Sequence, residues 1–132
     1  MKKITIPLTI PLTILLFLSC NQGYKKAEDA QDAGRQFIRA SLDGDYEKAR
    51  FFLLKDTTNL SFLNKWKDEY DRLTNDEKRE YKNAEIRPLS IEQQPDSSVN
   101  YTFTNSYKQK DTTVINIVKV KEEWLVDFKH LH

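Results

Sequence analysis

The chain has little of what most catalytic and cofactor sites are built from. It contains one cysteine, three glycines and two histidines in 132 residues. Glycine-rich phosphate or dinucleotide loops are lacking, serine-nucleophile signatures are lacking, and Cys, His, Asp and Glu do not recur at metal-ligand spacing. We therefore predict no metal and no cofactor. A single cysteine also excludes an internal disulfide, so the fold must rest on packing.

An excess of charge of one sign is lacking as well. Lysine and arginine total 21, aspartate and glutamate total 20, and the formal net charge is +1. A balanced chain has no basic footprint for a phosphate backbone, so we predict no nucleic-acid partner. The charge-rich stretch 65–82 alternates in sign, which indicates a solvated helix face.

The long apolar run lies at the N-terminus, over residues 4–19, directly after two lysines. A basic start, an apolar stretch and a small residue before the cut are the parts of a secretory signal. As a helix the run would cover about 24 Å, short of the roughly 30 Å hydrocarbon core. Pro7 and Pro11 would also interrupt its backbone hydrogen bonds. We therefore predict a signal peptide over residues 1–19 rather than a retained membrane span.

The segment Leu16-Phe17-Leu18-Ser19-Cys20 resembles the lipobox of bacterial lipoproteins. The resemblance implies that Cys20 carries a diacylglyceryl group and an acyl chain such as palmitate, which makes the bilayer a partner. Asn21 follows in place of an acidic residue, which by the family pattern implies the outer membrane of the cell envelope. No acidic cluster resembling a surface-export signal follows, so we expect the protein to face the periplasm. An ordinary secreted protein is the alternative. Residues 20–26 would then be a tether, and residues 27–132 a single domain.

The first half of that domain has apolar residues at helical spacing. We predict a first helix over residues 27–42 and a second that Asp45 caps, followed by a polar turn over residues 55–59. A third helix has an apolar stripe of four side chains: Leu63, Trp66, Tyr70 and Leu73. The residues from Thr74 to Glu77 match a capping box, which starts a fourth helix or breaks the third.

Beyond residue 84 the apolar period becomes two, which is typical of strands. Four strands are predicted, over residues 86–91, 99–107, 112–120 and 124–129. Pro88 and a shift in apolar parity indicate a bulge or an edge position in the first strand. Short polar links between the strands predict an antiparallel meander. Helices that precede such a sheet indicate an α+β fold, in which the N-terminal helices pack on about four antiparallel strands.

The last hairpin decides which side chains share a sheet face. A three-residue loop over residues 121–123 would set Val120 opposite Trp124 and turn Asn116 towards the core. An apolar strip would then remain on the outer face, formed by Ile115, Ile117 and Leu125. Because such strips often mark contact surfaces, we predict a candidate interface, with a homodimer as one partner. The alternatives are a small patch tolerated on a monomer and a patch covered by the chain's own tether.

Two segments carry a family resemblance: Phe37-Ile38 followed by residues 42–49, and the closing residues 118–127. They resemble small bacterial lipoproteins of the nuclear transport factor 2-like superfamily, which carry a domain of unknown function sometimes called lumazine-binding-like. The resemblance covers roughly residues 27–129. It implies a cystatin-like cone, in which helices pack on a curved sheet with room for a pocket. Glu123 stands where the family often has a glycine before the tryptophan.

Six side chains are candidates for lining a pocket, since ligand sites are mostly apolar with a few polar groups. They are Trp66, Tyr70, Tyr101, Phe103, Asn116 and Trp124. The alternative for the aromatic residues is plain core packing. For the amide, the alternative is a hydrogen bond to the backbone or to water.

No residue is predicted to be catalytic. His130 and His132 lie in the last three residues, where chain ends are loosely held. Asp127 points outward in the predicted register, as an exposed residue paired with a lysine rather than a general base. We expect a non-enzymatic domain that binds a small molecule or a protein. The alternatives are a small lyase or isomerase, which would need an ionisable side chain such as Glu47 or Glu80 in its cavity, and a protein-interaction or immunity-type module.

Overall fold

The structure, a computed structural model, describes residues 2–3 and 23–130. Cys20, His132 and nearly all of the predicted signal peptide lie outside the described residues. Within the described part, helices precede strands. They are α1 (Ala30–Asp43), α2 (Tyr46–Phe51), α3 (Thr57–Asp71), α4 (Asn75–Asn83), β1 (Ile86–Gln93), β2 (Val99–Asn105), β3 (Thr113–Val120) and β4 (Glu123–Asp127), followed by a 3₁₀ turn, Phe128–His130. Among these helices, none has the length and apolar character needed to cross a bilayer.

The strands form one antiparallel sheet in the order β1-β2-β3-β4. The predicted α+β class and the meander are therefore confirmed. The sheet is open rather than closed into a barrel, since β1 and β4 are not paired with each other. The predicted bulge in β1 is also confirmed, because the register shifts between Pro88 and Ser90.

Each α-helix begins at a side chain that accepts a hydrogen bond from a first-turn amide, which stabilises the helix start. In the first three helices the acceptor is an aspartate side chain and the donor is the backbone amide three residues later. The pairs are Asp29 and Asp32 (2.7 Å), Asp45 and Lys48 (3.1 Å), and Asp56 and Asn59 (2.8 Å). The capping box of Thr74 and Glu77 starts α4, as predicted. The polar turn predicted over residues 55–59 is too long, because α3 already begins at Thr57.

Helix α1 crosses the inner face of the sheet at close range. Gly34 makes this approach possible, since a Cβ added there would lie 2.9 Å from Ile117 Cδ1 and 3.2 Å from Tyr101 Cδ1. Ala33 and Phe37 on the same side of the helix are fully buried. The hydrophobic core therefore lies between α1 and the inner face of β2, β3 and β4.

The β3–β4 loop has two residues rather than the predicted three. Val120 pairs with Glu123, so only Lys121 and Glu122 form the turn. Their φ angles are 47° and 65°, and two successive residues with positive φ are what a type I′ turn requires. The prediction was wrong because it relied on apolar sorting, and this turn has neither glycine nor asparagine.

Because the loop is one residue shorter than predicted, the β3 side chains that were expected to face the core face outward, and the others face the core. Ile115 and Ile117 are fully buried against the helices, so the predicted interface strip is wrong. Trp124 is on the inner face as expected, but Asn116 lies on the outer face. That outer face carries the apolar side chains Val114, Val118, Val120 and Leu125.

The free side of β4 is partly covered by the segment after α2. Leu53 forms a parallel bridge with Val126. The Leu54 amide donates to the Val126 carbonyl, and the Val126 amide donates to the Phe52 carbonyl, both at 2.8 Å. This segment therefore pairs with β4 and satisfies backbone groups that an edge strand would leave open.

Candidate functional site

A cleft of about 370 Å³ opens between the helices and one end of the sheet. Its floor is apolar and largely buried, and consists of Ile38 and Leu42 from α1 and Phe103 from β2. Its walls are aromatic: Tyr46, Trp66, Tyr70 and Tyr81. These side chains come from α2, α3 and α4, so every helix and the sheet contribute to the cleft.

The structure brings together three of the six side chains predicted for a pocket. Trp66, Tyr70 and Phe103 line the cleft. Tyr101 is fully buried on the inner sheet face next to Gly34, and its Oη has no hydrogen-bond partner among the described residues. Trp124 packs against the core, with Lys119 Nζ 5.4 Å from its ring centroid. Tyr101 and Trp124 are therefore core residues, which is the alternative considered for the aromatic side chains.

Asn116 does not line the cleft. Its Nδ2 donates to Ser98 Oγ and to Asn100 Oδ1, each at 2.9 Å, and Ser98 Oγ in turn donates to Asp96 Oδ1 at 2.6 Å. These contacts link β3 to β2 and to the β1–β2 turn. The predicted inward orientation is therefore wrong, and the side chain is part of a polar group on the outer face.

The aromatic walls are held in place by contacts within the helical layer. The Tyr46 hydroxyl donates to the Trp66 carbonyl at 3.3 Å, and the Tyr46 and Tyr70 rings meet edge to face at 5.8 Å. Burial raises the pKa of Tyr46 and of Tyr70 above the usual value of 10.0. Both phenols are therefore neutral at physiological pH, and act as hydrogen-bonding groups rather than charges.

Tyr70 also depends on the turn between α1 and α2. Gly44 ends α1 with a left-handed φ of 75°, where its amide donates to carbonyls of α1. A Cβ at this position would lie 2.6 Å from the Tyr70 ring. The absence of a side chain at Gly44 thus allows both the turn and the observed position of the ring.

The charged side chains that line the cleft, Glu69, Lys108 and Asp111, are exposed and form its rim. Lys108 Nζ lies 5.6 Å from the Tyr81 ring centroid. A hydrogen bond to Tyr81 raises the pKa of Lys108, so the amine stays protonated. The cleft therefore combines an uncharged aromatic interior with a mixed-charge entrance.

Asn105 supplies a polar group at the end of β2 that lines the cleft. Its Oδ1 accepts hydrogen bonds from the Tyr107 and Lys108 amides at 3.0 and 2.8 Å, which fixes the start of the β2–β3 loop. The Nδ2 group makes no hydrogen bond to a described residue. Asn105 can therefore donate to a ligand while its oxygen holds the loop.

Asp127 lies outside the cleft, in a polar network at the start of α3. Asn59 Nδ2 donates to Asp127 Oδ1 at 3.1 Å, and Asn59 Oδ1 accepts from the Phe128 amide at 2.7 Å. Lys129 Nζ lies 3.9 Å from Asp127 Oδ2. The expected lysine pairing is present, but the predicted exposure is wrong, since Asp127 is only 4% exposed.

Sequence reasoning missed several residues of the site. Tyr46 is three positions before Ala49 and six before Phe52, a helical spacing, so the sequence carried a signal for it. Tyr81, Asn105 and Lys108 had none, because they reach the cleft only through the packing of α4 and the β2–β3 loop.

Residues 2–3 and 23–130 contain no group of three or more His, Cys, Asp or Glu side chains that could hold a metal ion. Comparison of the chain with protein-family models, with curated proteins and with solved structures gives no match in any of the three.

Proposed function

We propose that this chain is a membrane-anchored lipoprotein of the cell envelope whose α+β domain binds a small molecule in the cleft and does not catalyse a reaction. The cleft is the observation that carries the binding role. An apolar, aromatic interior with a few polar groups at its edge is the usual composition of a ligand site, and about 370 Å³ is within the usual size range.

We further propose that the domain is a cone of the nuclear transport factor 2-like type. Two features support this assignment. The helices precede a four-stranded meander and pack on its inner face. The cleft opens between helices and sheet, which is where the family resemblance implies a pocket.

A small lyase or isomerase is the second candidate, and the chemistry of the cleft favours binding over it. The three acids considered for catalysis, Glu47, Glu80 and Asp127, are not among the lining residues. The charged groups that do line the cleft are at the exposed rim, where water keeps their charges solvated. A protein-interaction or immunity-type role is less well supported, since Ile115 and Ile117 of its expected surface are buried.

The anchoring role rests on the sequence from Leu16 to Cys20 and on Asn21 after it. We propose that Cys20 is acylated and that the protein faces the periplasm from the outer membrane. The test is fractionation of the native host after growth with labelled palmitate. The wild type should carry label and sediment with outer membranes, whereas Cys20→Ser should carry none and remain soluble. Equal sedimentation of both would contradict the proposal.

The binding role is tested by native mass spectrometry of protein purified from its host. The wild type should carry an additional bound mass. Leu73→Trp, at a residue that lines the cleft, should remove that mass because the larger side chain fills the space. Leu89→Trp is the matched control, since Leu89 is 57% exposed on β1. Retention of the bound mass by both variants would contradict binding in the cleft.

A fluorescence titration gives an independent readout. Of the two tryptophans, Trp66 lines the cleft and Trp124 does not. In a Trp124→Phe background, the emission of Trp66 should change on adding back the extracted ligand. A change of equal size in a Trp66→Phe background would place the ligand elsewhere.

A further inference from the structure

The chain in front of α1 is attached to the folded domain. The Tyr24 ring lies 5.5 Å from the Phe51 ring, and Lys26 Nζ lies 3.8 Å from Glu123 Oε1. Ala27 packs against the core. The second half of the predicted tether, from Tyr24 onward, therefore rests on α2 and on the start of β4.

This attachment leaves little free chain behind Cys20. Only Asn21, Gln22 and Gly23 separate it from Tyr24. A fully extended chain spans at most about 3.6 Å per residue, so the Cα atoms of Cys20 and Tyr24 can be no more than about 14 Å apart. An anchor at Cys20 would hold the Tyr24 side of the domain close to the bilayer surface.

Helix α1 leads from the tether to the cleft. It starts at Ala30, close to the tether, and Leu42 near its other end lines the cleft. Leu42 is twelve positions after Ala30, which is about 18 Å along a helix axis. The tether and the cleft are therefore at opposite ends of α1.

Strand β3 also separates the cleft from the tether, on the sheet side of the molecule. Thr113, its first residue, lines the cleft, whereas Val120, its last, pairs with the Glu123 that Lys26 contacts. The eight residues of β3 span about 23 Å. Along β3, the cleft and the Lys26 contact are thus at opposite ends, and on α2 Tyr24 contacts Phe51, the last residue of the helix, whereas Tyr46, the first, lines the cleft.

We propose that the attached tether orients the domain so that the cleft faces away from the anchoring membrane, and that its ligand is a water-soluble molecule taken from the aqueous compartment rather than a lipid of that bilayer. This inference rests on the proposed acylation of Cys20 and on ligand binding in the cleft. Tyr24 is the residue that restrains the link, because its ring contact with Phe51 opposes rotation of the domain about the anchor, and the partly exposed Lys26–Glu123 pair adds a small contribution.

The orientation can be measured by energy transfer from single labels to the membrane. Acylation of Cys20 leaves no free thiol in the chain, so one introduced cysteine is labelled uniquely. Lys121→Cys places a donor fluorophore in the β3–β4 turn at the tether end, and Lys110→Cys places it in the β2–β3 loop near the cleft; both lysines are exposed. The full acylated protein is added to phosphatidylethanolamine–phosphatidylglycerol vesicles that contain an acceptor-labelled lipid.

We expect several-fold stronger transfer from position 121 than from position 110. Tyr24→Ala combined with Lys26→Ala should reduce this difference, while Tyr24→Phe, which keeps the ring contact, should preserve it. Equal transfer from both positions, or stronger transfer from position 110, would overturn the inference and leave the binding role untouched. Failure of the acylated protein to join the vesicles would instead overturn the anchor, and this inference with it.

The source of the ligand is tested separately. Protein purified with its bound molecule is divided into two samples. One is incubated with vesicles of the same composition, and the other with buffer alone. A water-soluble ligand should dissociate equally in both, as followed by the bound mass in native mass spectrometry. A bound mass that equals a phospholipid or fatty acid would overturn the inference and still support binding in the cleft.

Discussion

The two halves of α3 meet the rest of the molecule in different ways. In the first half, Asn59 and Leu63 are buried, and the Asn59 side chain is hydrogen-bonded to Asp127 and to the Phe128 amide. In the second half, Trp66 and Tyr70 are only partly buried and line the cleft. Buried hydrogen bonds thus hold the first half of α3 against the end of β4, whereas the second half bounds the cleft.

The largest effect is expected from removing the buried hydrogen bonds that hold the first half of α3. Asn59→Ala removes a hydrogen bond to Asp127 and leaves the buried Phe128 amide without its acceptor. An unsatisfied buried group costs about 1–3 kcal/mol, and more where charge is involved, so we expect a loss of about 2–4 kcal/mol in the free energy of unfolding. Urea denaturation measures it. Asn64→Ala, on the exposed side of the same helix, should change stability by less than about 0.5 kcal/mol.

The next largest effect is expected in the second half of α3, where the turn at Gly44 leaves room for the Tyr70 ring. Gly44→Ala places a methyl group 2.6 Å from the Tyr70 ring at a φ of 75°. The left-handed conformation alone costs about 1–2 kcal/mol for a non-glycine residue, and the displaced ring should also weaken ligand binding. Gly23→Ala is the matched control, because φ there is 72° and no atom of the residues that the structure describes lies within 4 Å of an added Cβ. Equal loss of bound ligand in both variants would contradict a role for the ring position.

A smaller, pH-dependent effect concerns Asp56, which caps the start of α3. Hydrogen bonds from the Asn59 amide and from Lys129 Nζ, the latter at 2.7 Å, lower the pKa of Asp56 below 3.8. Its stabilising effect is therefore present above pH 3.8 and is lost as the pH falls through the lower folded-state value. Asp56→Asn keeps a good capping residue but removes the charge. Between pH 7 and pH 3, the variant should lose less stability than the wild type, and parallel curves would contradict this.

The smallest effect is expected on the exposed face of the second half of α3. Lys67 Nζ lies 2.8 Å from Asp71 Oδ2, and both side chains are about half exposed. Exposed pairs of this kind contribute little and are screened by salt. Lys67→Ala should melt within about 2 °C of the wild type, and 1 M NaCl should remove the difference. A larger change would mean that the charged face of α3 supports the cleft.

The helices and the strand order could be predicted because their signals are local. Apolar spacing marked α1 and α3, and the capping residues Asp45 and Thr74 marked two helix starts. The strand pairs are joined by short links, so a meander followed from the chain order alone. These features depend on residues within a few positions of each other, so the pattern of a single sequence is enough to predict them.

The register of the last hairpin could not be predicted in the same way. Strand β3 is apolar on both faces, since Ile115 and Ile117 alternate with Val114 and Val118. Sorting by hydrophobicity therefore gave no reliable choice between the faces, and the turn that decides it lacks the usual residues.

The site was predicted in part for a related reason. Trp66, Tyr70 and Phe103 belong to clear periodic stripes, and they line the cleft. The contact between Asn59 and Asp127 joins residues 68 positions apart, and nothing in the local pattern of either one indicates the other. Polar contacts across such separations depend on how whole elements pack.

The bridge between Leu53 and Val126 has a consequence for how the domain behaves at high concentration. Because that bridge occupies one margin of the sheet, β1 provides the other, and β1 carries a bulge at Pro88 and charged side chains at Arg87 and Glu92. Proline, bulges and charges all discourage the stacking of strands from neighbouring molecules. Copies of the domain are thus kept from joining edge to edge into fibrils.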